Sequence, residues 1–441
     1  MLINHENFYK ISDRLRRSGF FKMNQDQLFK LTNNNVRQNE KIVVFGVGGG
    51  GGNALNHIIE SNVQGVDFVA ANTDARALDM NQAPNKIILG ETLTRGLGAG
   101  ANPQVGTNAA KESIDKIKEY ITGADMLFVT AGMGGGTGTG AAPVIAGAAK
   151  DMGVLVVGVV TKPFGFEMGK RMKTAELGIE DLKKNVDALL IVENDKLLKM
   201  DNGVKMKIVD AYKKVDEVLR QAVQGVTDLI TKSGFVNLDF ADIKAILTGA
   251  GTAIMGMGEG EGEDRARKAA QNAITSPLMN FPVTGAKGIL LNVTTGTEIT
   301  LGEMSDAAQI IEETADPDAQ VIWGHVIDES LGEKVHVTLI ATFPEDAMLL
   351  QQKRMANIAE TKKAEEAKAK ASQQPQQQQP AQNPTTRTGT LYDVFTKNRI
   401  RTQQAGLEEA RLTTPNVDDA FPGLPRKIYD QPSLYRKNRK D

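Results

Sequence analysis

Gly132-Met133-Gly134-Gly135-Gly136-Thr137-Gly138-Thr139-Gly140 places six glycines in nine positions, directly after the apolar run Met126 to Ala131 and directly before a helical pattern from Ala141 to Lys150. A tight turn needs one or two glycines. Six let the backbone approach a polyphosphate closely, and the Thr137 and Thr139 hydroxyls add donors that alanine lacks. A second loop of this kind lies upstream, where Gly46-Val47-Gly48-Gly49-Gly50-Gly51-Gly52-Asn53 follows the run Lys41 to Phe45 and opens a helix at Asn53 to Ser61. Its N–H groups, at the positive end of that helix, can surround a phosphate. Alone, this loop satisfies G-x-G-x-x-G with Asp74 about 20 residues further on, as in a Rossmann dinucleotide site. A Rossmann unit has no need of the downstream loop. Neither loop contains Lys and no G-x-x-x-x-G-K-[ST] string occurs, so a Walker P-loop is excluded and the phosphate site is built mainly from backbone.

Working outward, Lys41 to Phe45, Val66 to Ala71, Met126 to Ala131, Val154 to Val160 and Ala188 to Val192 read as strands, with helices at Asn53 to Ser61, Asn108 to Ile121, Ala141 to Lys150 and Lys170 to Asn185. This alternation predicts an α/β fold, a doubly wound and mostly parallel sheet with ligands at the carboxyl ends of its strands. Ile208, Ala211, Tyr212, Val215, Leu219, Ala222, Val226 and Ile230 keep a helical period and predict one long central helix. Strands at Gly288 to Val293, Val321 to Ile327 and Val335 to Thr342, with a helix near Ser305 to Thr314, predict a second, smaller α+β domain. The expected divisions are an N-terminal extension (1–40), a nucleotide-binding domain (41–206), the central helix (207–231), the smaller domain (232–345), a helical stub with a disordered Gln/Pro-rich linker (346–427) and a C-terminal binding peptide (428–441).

The 441 residues carry 52 Lys and Arg against 54 Asp and Glu, so no chain-wide basic field argues for nucleic acid. Absence of Cys removes disulfides, thiol catalysis and thiolate metal sites, and points to a reducing compartment. His5, His57, His325 and His336 lack metal-ligand spacing; His325 and His336 fall on strands read as neighbours, and Trp323, Met255 and Met257 read as packing residues. No apolar run approaches the roughly 20 residues of a membrane span. The N-terminal segment lacks the apolar run of a secretory signal; a transit peptide is the weaker alternative, because such segments are usually acid-poor and this one carries acids.

GVGGGGGNA (Gly46 to Ala54), ANTDA (Ala71 to Ala75), GLGAGANP (Gly96 to Pro103), GGGTGTG (Gly134 to Gly140), VVTKPFGFE (Val159 to Glu167), NDKLLK (Asn194 to Lys199) and NLDFADI (Asn237 to Ile243) stand in the order and spacing of the tubulin/FtsZ GTPase family, which the chain resembles over about Lys41 to Pro344. The resemblance implies GTP/GDP with Mg²⁺ as the bound species. Gly49, Gly50, Gly51, Gly52 and Asn53, with Gly136, Thr137 and Gly138, would hold phosphates; Gly48, Asn72, Asp74, Gly98, Ala99, Gly100, Gly134, Gly135, Thr161 and Pro163 complete the GTP site. Asp74 would help hold Mg²⁺, which is otherwise carried by the nucleotide. Glu167 and Arg171 would hold the ribose, although their i, i+4 spacing also suits a surface ion pair. Asn194 and Asp216 would read the base, with Tyr212 stacking on it; a carboxylate accepting from guanine's adjacent N–H donors selects GTP over ATP.

Asn237, Asp239 and Asp242 follow the central helix, about 36 Å long at 1.5 Å per residue, and so lie too far away to serve their own nucleotide. By resemblance they are catalytic on the adjacent subunit's nucleotide, in a head-to-tail filament whose hydrolysis depends on assembly. The bland alternative is a helix cap. The family further implies a division ring at mid-cell on the inner face of a bacterial cytoplasmic membrane. Its membrane-tethering and regulatory partners would bind the C-terminal peptide, where Asp430-Gln431-Pro432-Ser433-Leu434-Tyr435-Arg436-Lys437 departs from the usual pattern at Gln431. Six Lys and Arg against two Asp from Arg426 to Asp441 add a weak attraction to an anionic membrane surface. Other readings are an organellar division homologue, a nucleotide-binding filament protein with negligible turnover, and an NAD-dependent oxidoreductase.

Overall fold

A computed structural model describes residues 40–200, 206–232, 236, 238–279 and 281–344. The N-terminal extension as far as residue 39, Asn237, the linker and the C-terminal peptide lie outside the described residues.

Strand β1 (Ile42–Val47) is buried throughout, and its alternate residues face opposite ways: Ile42 and Val44 join one apolar cluster, Val43, Phe45 and Val47 another. A strand with two apolar faces belongs inside a sheet covered on both sides. Parallel partners follow on either hand: β2 (Val66–Asn72), β3 (Asn85–Ile88), β4 (Met126–Gly132), β5 (Leu155–Lys162) and β6 (Ala188–Glu193) give the order β3-β2-β1-β4-β5-β6. The order reverses between β1 and β4, and that switch point is where ligands of doubly wound sheets bind.

Helix α1 (Gly48–Glu60) follows β1, and the short α2 (Ala75–Asp79) and α3 (Glu91–Thr94) follow β2 and β3. The helix expected at Asn108 to Ile121 is two, α4 (Pro103–Glu112) and α5 (Ile114–Ile121). The break falls at Ser113, whose hydroxyl accepts a hydrogen bond from the Gly90 N–H at 3.0 Å, so a tertiary contact holds the backbone out of the helix. After β4 comes α6 (Thr137–Asp151), after β5 α7 (Gly169–Lys183), and after β6 α8 (Asn194–Met200).

The long helix is α9 (Ile208–Thr231), 24 residues, with Val215, Leu219, Ala222, Val226 and Leu229 buried against the sheet. Then come α10 (Phe240–Leu247), β7 (Gly251–Gly260), α11 (Arg265–Ile274), β8 (Gly288–Thr295), α12 (Leu301–Thr314), β9 (Gln320–Ile327) and β10 (Val335–Phe343). Strands β7 and β6 pair in parallel at Ala188–Gly251, Leu189–Thr252 and Leu190–Ala253, so one ten-stranded sheet runs on as β7-β10-β8-β9. Helix α9 covers one face of both halves: its side chains share a cluster with Val44, Leu190, Leu290 and Ile340.

Strands β3 and β7 and helix α11 escape the sequence pattern. In β7 the cause is visible at Gly258, where a Cβ would collide with the Ala269 carbonyl of α11; the glycines that admit the helix erase the strand signal. His325 and His336 lie on β9 and β10, which β8 separates, and so are not on neighbouring strands. His325 instead bonds Thr295 Oγ1 at 2.8 Å, and His336 faces Glu259 at 3.4 Å. Trp323 is half-buried against the cluster under α11 and α12.

Candidate functional site

Adjacent strands β1 and β4 each release a helix at the switch point, and both helices begin inside their glycine loops, earlier than the sequence suggests. Helix α1 starts at Gly48 and α6 at Thr137, and neither N-cap, Val47 nor Gly136, supplies a side-chain hydrogen bond. By contrast, Asp74 caps α2 by accepting from the Arg76 and Ala77 N–H groups, and Asn102 caps α4 by accepting from Gln104. Two uncapped helix N-termini thus stand side by side, their first-turn N–H groups left for an anion.

Mutual contact explains the early starts. Gly48 has φ +73°, and a Cβ there would stand 2.7 Å from the Gly138 nitrogen. Gly134 has φ +98° and meets Arg171 equally closely. Gly50 abuts Gly132, Gly51 abuts Thr130, and Gly136 abuts Ala99 and Asn102. Gly49 and Gly135 differ, because a Cβ on either would find no atom within 4 Å. These two border the open space between the loops. Gly52 and the exposed Asn53 continue the first turn, with the Gly52 carbonyl accepting from the Asn81 amide at 2.8 Å.

Hydroxyls and the next loops close the rim. Thr137 Oγ1 lies 2.6 Å from Thr73 Oγ1. Thr139, expected to offer its hydroxyl to phosphate, is buried and accepts from the Gly134 N–H at 2.9 Å, so it braces the loop from behind. Asn72 is buried, and its Oδ1 accepts from the Asp74 N–H at 3.3 Å. Gly98 donates to the Thr73 carbonyl at 3.0 Å, and an isolated bridge joins Asp74 to Leu97, which brings the Gly98-Ala99-Gly100 loop to the same edge.

At the other end, β5 finishes at Lys162 between the buried Thr161 and Pro163, and the chain turns back so that Glu167 Oε1 accepts from the Phe164 N–H at 2.9 Å. Glu167 and Arg171 form an ion pair at 3.0 Å. Tyr212, expected as a stacking platform, meets Phe164 edge-on with centroids 5.3 Å apart and faces the Glu167 carboxylate; burial, then that negative charge, raise its pKa. The ring whose outer face is open is Phe166, 59% exposed and stacked on Phe164 at 5.1 Å. Sequence reasoning passed over Phe166 and Thr73, although both lie within the quoted motifs.

Asn194 opens α8 and is held near this turn by its neighbour Asp195, which accepts from the Gly165 N–H at 2.9 Å. Asn194 is 4% exposed, and its Oδ1 has no hydrogen-bond partner among the described residues. Burial pushes the Asp216 carboxyl from its ordinary 3.8 up to about 6, against an opposing pull from His57. A buried acceptor without a donor is costly, and so is a buried carboxylate.

Asp239 and Asp242 lie beyond the far end of α9 and are exposed. Asp239 occupies the N-cap position of α10 but makes no side-chain cap bond, so this carboxylate does not cap the helix, while Asn237, the other capping candidate, lies outside the described residues. Among the described residues no cluster of three or more His, Asp or Glu could cage a metal ion. Mg²⁺ fits all the same, since it usually keeps its waters and takes one carboxylate with substrate phosphates. The half-exposed Asp74 at the rim, whose capping bonds use Oδ1, can supply that carboxylate through Oδ2.

Residues 41–202 match the GTPase domain of the Tubulin/FtsZ family, and residues 251–343 match the FtsZ family C-terminal domain. An FtsZ dimer from M. jannaschii is 42% identical, with TM-score 0.68, over 74% of this chain and 93% of that one. CetZ1 from Haloferax volcanii, a GDP-bound monomer, is 23% identical with TM-score 0.61 over 71% of this chain and 98% of its own. CetZ2 from the same organism, in a GTPγS-bound protofilament, is 20% identical with TM-score 0.58 over 73% and 99%; the two CetZ likenesses speak for the fold alone. With paired, uncapped helix starts at the switch point and both family domains in order along the chain, this chain belongs to the tubulin/FtsZ GTPase family.

Proposed function

We propose that the protein binds and hydrolyses GTP and polymerises head to tail into the filaments of a bacterial division ring, each active site being completed by the next subunit. The observation that carries this reading is the division of the machinery by α9. Asp216 lies in its first half, whereas Asp239 and Asp242 lie past its end, exposed and with no side-chain hydrogen bond or ion pair among the described residues. From Asp216 to the end of the helix at Thr231 is 15 residues, about 22 Å at 1.5 Å per residue, and Asp239 and Asp242 lie further along the chain. A head-to-tail contact brings one subunit's carboxylates to the next subunit's phosphates.

Within that reading the two uncapped helix starts hold the phosphates, Glu167 and Arg171 hold the ribose, and Asn194 with ionised Asp216 accept from guanine's N1–H and N2–H₂. Adenine, with an acceptor at N1, leaves these acceptors unsatisfied. Mg²⁺, when bound, neutralises developing phosphate charge. Asp239 and Asp242 of the adjoining subunit, with Asn237, orient water for in-line attack on the γ-phosphorus, breaking its bond to the β–γ bridging oxygen. Exposed apolar side chains, Leu97 and Met168 beside the proposed nucleotide site and Leu301 at the start of α12, are available for the head-to-tail contact. The C-terminal peptide is the proposed handle for membrane-tethering and regulatory proteins, with the filament on the cytoplasmic face.

GTP turnover measured against protein concentration, with light scattering alongside, tests the proposal. Turnover per molecule and scattering should rise together above one threshold. Turnover that stays constant on dilution below assembly overturns the shared site.

A further inference from the structure

Thr73 is outside the residues that the motifs assign to the site, yet it is completely buried and joins three of its segments. Its hydroxyl meets the Thr137 hydroxyl at 2.6 Å, and its carbonyl accepts from the Gly98 N–H at 3.0 Å and from Thr94 Oγ1 at 3.3 Å. A hydroxyl has one proton, and among the described residues the Thr73 hydroxyl has Thr137 as its hydrogen-bond partner. If Thr137 were the donor, the Thr73 proton would be buried without an acceptor, a costly state. If Thr73 donates, its proton is satisfied and the Thr137 proton is released to point elsewhere. Thr137 is the half-exposed first residue of α6, two positions after Gly135, beside which there is open space.

We propose that Thr73 is a positioning residue: it donates to Thr137 Oγ1 and so sets the Thr137 O–H to donate to a nucleotide phosphate. The inference deepens the GTP reading and rests on it. Hydrogen bonds in series strengthen one another, so an anion at Thr137 reinforces the buried bond behind it.

The test is GTPγS affinity of the full chain, at concentrations that give no light scattering, for wild type, Thr73→Val, Thr73→Ser, Thr137→Val and the Thr73→Val/Thr137→Val pair. Thr73→Val should bind about tenfold more weakly, the size of one charge-assisted hydrogen bond. Thr73→Ser, which keeps the hydroxyl, should stay within about twofold of wild type, and in the Thr137→Val background loss of the Thr73 hydroxyl should have no further effect. If Thr73→Val binds like wild type, or its loss simply adds to that of Thr137→Val, the proposal is wrong. Should Thr73→Val fold poorly by circular dichroism, Thr73→Ala replaces it in the same cycle. Failure of wild type to bind GTPγS would instead refute the GTP reading.

Discussion

Asp216 carries a charge that burial disfavours and that the proposed guanine recognition needs, which links binding to pH. Its folded-state pKa is raised from 3.8 to about 6, so it favours the folded chain below 3.8 and loses that contribution as pH rises to about 6. Guanine binding runs the other way, because it requires the ionised form. Affinity for GDP should therefore fall by up to about tenfold per pH unit below 6 and level off above it. Asp216→Asn should bind weakly and lose this slope; calorimetric titrations between pH 5 and 7.5 decide, and an unchanged slope in the variant would reassign the base reader. A second prediction concerns backbone. Gly48→Ala places a Cβ at φ +73° and 2.7 Å from the Gly138 nitrogen, so it should cost at least roughly 1–2 kcal/mol of stability in urea unfolding and weaken nucleotide binding as well. At this scale much of the site was legible, because glycines and carboxylates announce their chemistry wherever they stand. The different tasks of two hydroxyls were not: Thr137 and Thr139 look equivalent in sequence, but one is half-exposed and meets Thr73 and the other is buried and braces Gly134.

Helix starts show how packing overrides propensity. Glycine disfavours helix by about 1 kcal/mol relative to alanine, so the pattern delays α1 to Asn53 and α6 to Ala141. Contact between the two glycine turns draws both helices back to Gly48 and Thr137, which leaves the first-turn N–H groups facing the switch point. Elsewhere a single side chain ties elements together. Arg265, first residue of α11, bonds Glu303 of α12 at 2.7 Å and the carbonyls of Glu298 and Glu333 at 2.8 and 2.9 Å. Arg265→Ala leaves those acceptors unpaired and should destabilise the chain by about 1–3 kcal/mol in chemical denaturation. Its partner supplies a pH test. The hydrogen bond from Arg265 lowers the Glu303 pKa from 4.5 to about 2, so the contribution is present above pH 4.5 and disappears as pH falls towards 2. The gap in melting temperature between wild type and Glu303→Gln should accordingly be wide at pH 6 and narrow at pH 3.

Over the whole molecule, α9 separates the proposed base reader Asp216 from the exposed Asp239 and Asp242, and under the proposed shared site this makes complementation possible. Asp239→Ala retains a nucleotide pocket, and Asp216→Asn retains exposed carboxylates. Each alone should hydrolyse GTP at least about tenfold more slowly than wild type. A mixture should recover turnover above the sum of the two, because an Asp216→Asn subunit can serve the nucleotide of an Asp239→Ala neighbour. No recovery in mixtures shown by sedimentation to co-assemble would mean that hydrolysis is completed within one subunit. The sequence by itself determined the alternating α/β order, the long helix and the two phosphate loops, because hydrophobic period and glycine clusters are local and survive any arrangement in space. Only the tertiary structure decided that β6 pairs with β7 to make one sheet, that Ser113 divides a helix, that glycines in β7 admit α11, and that the Thr73 hydroxyl stands behind Thr137. Each of these depends on atoms distant in sequence coming within contact distance, and no local pattern encodes that.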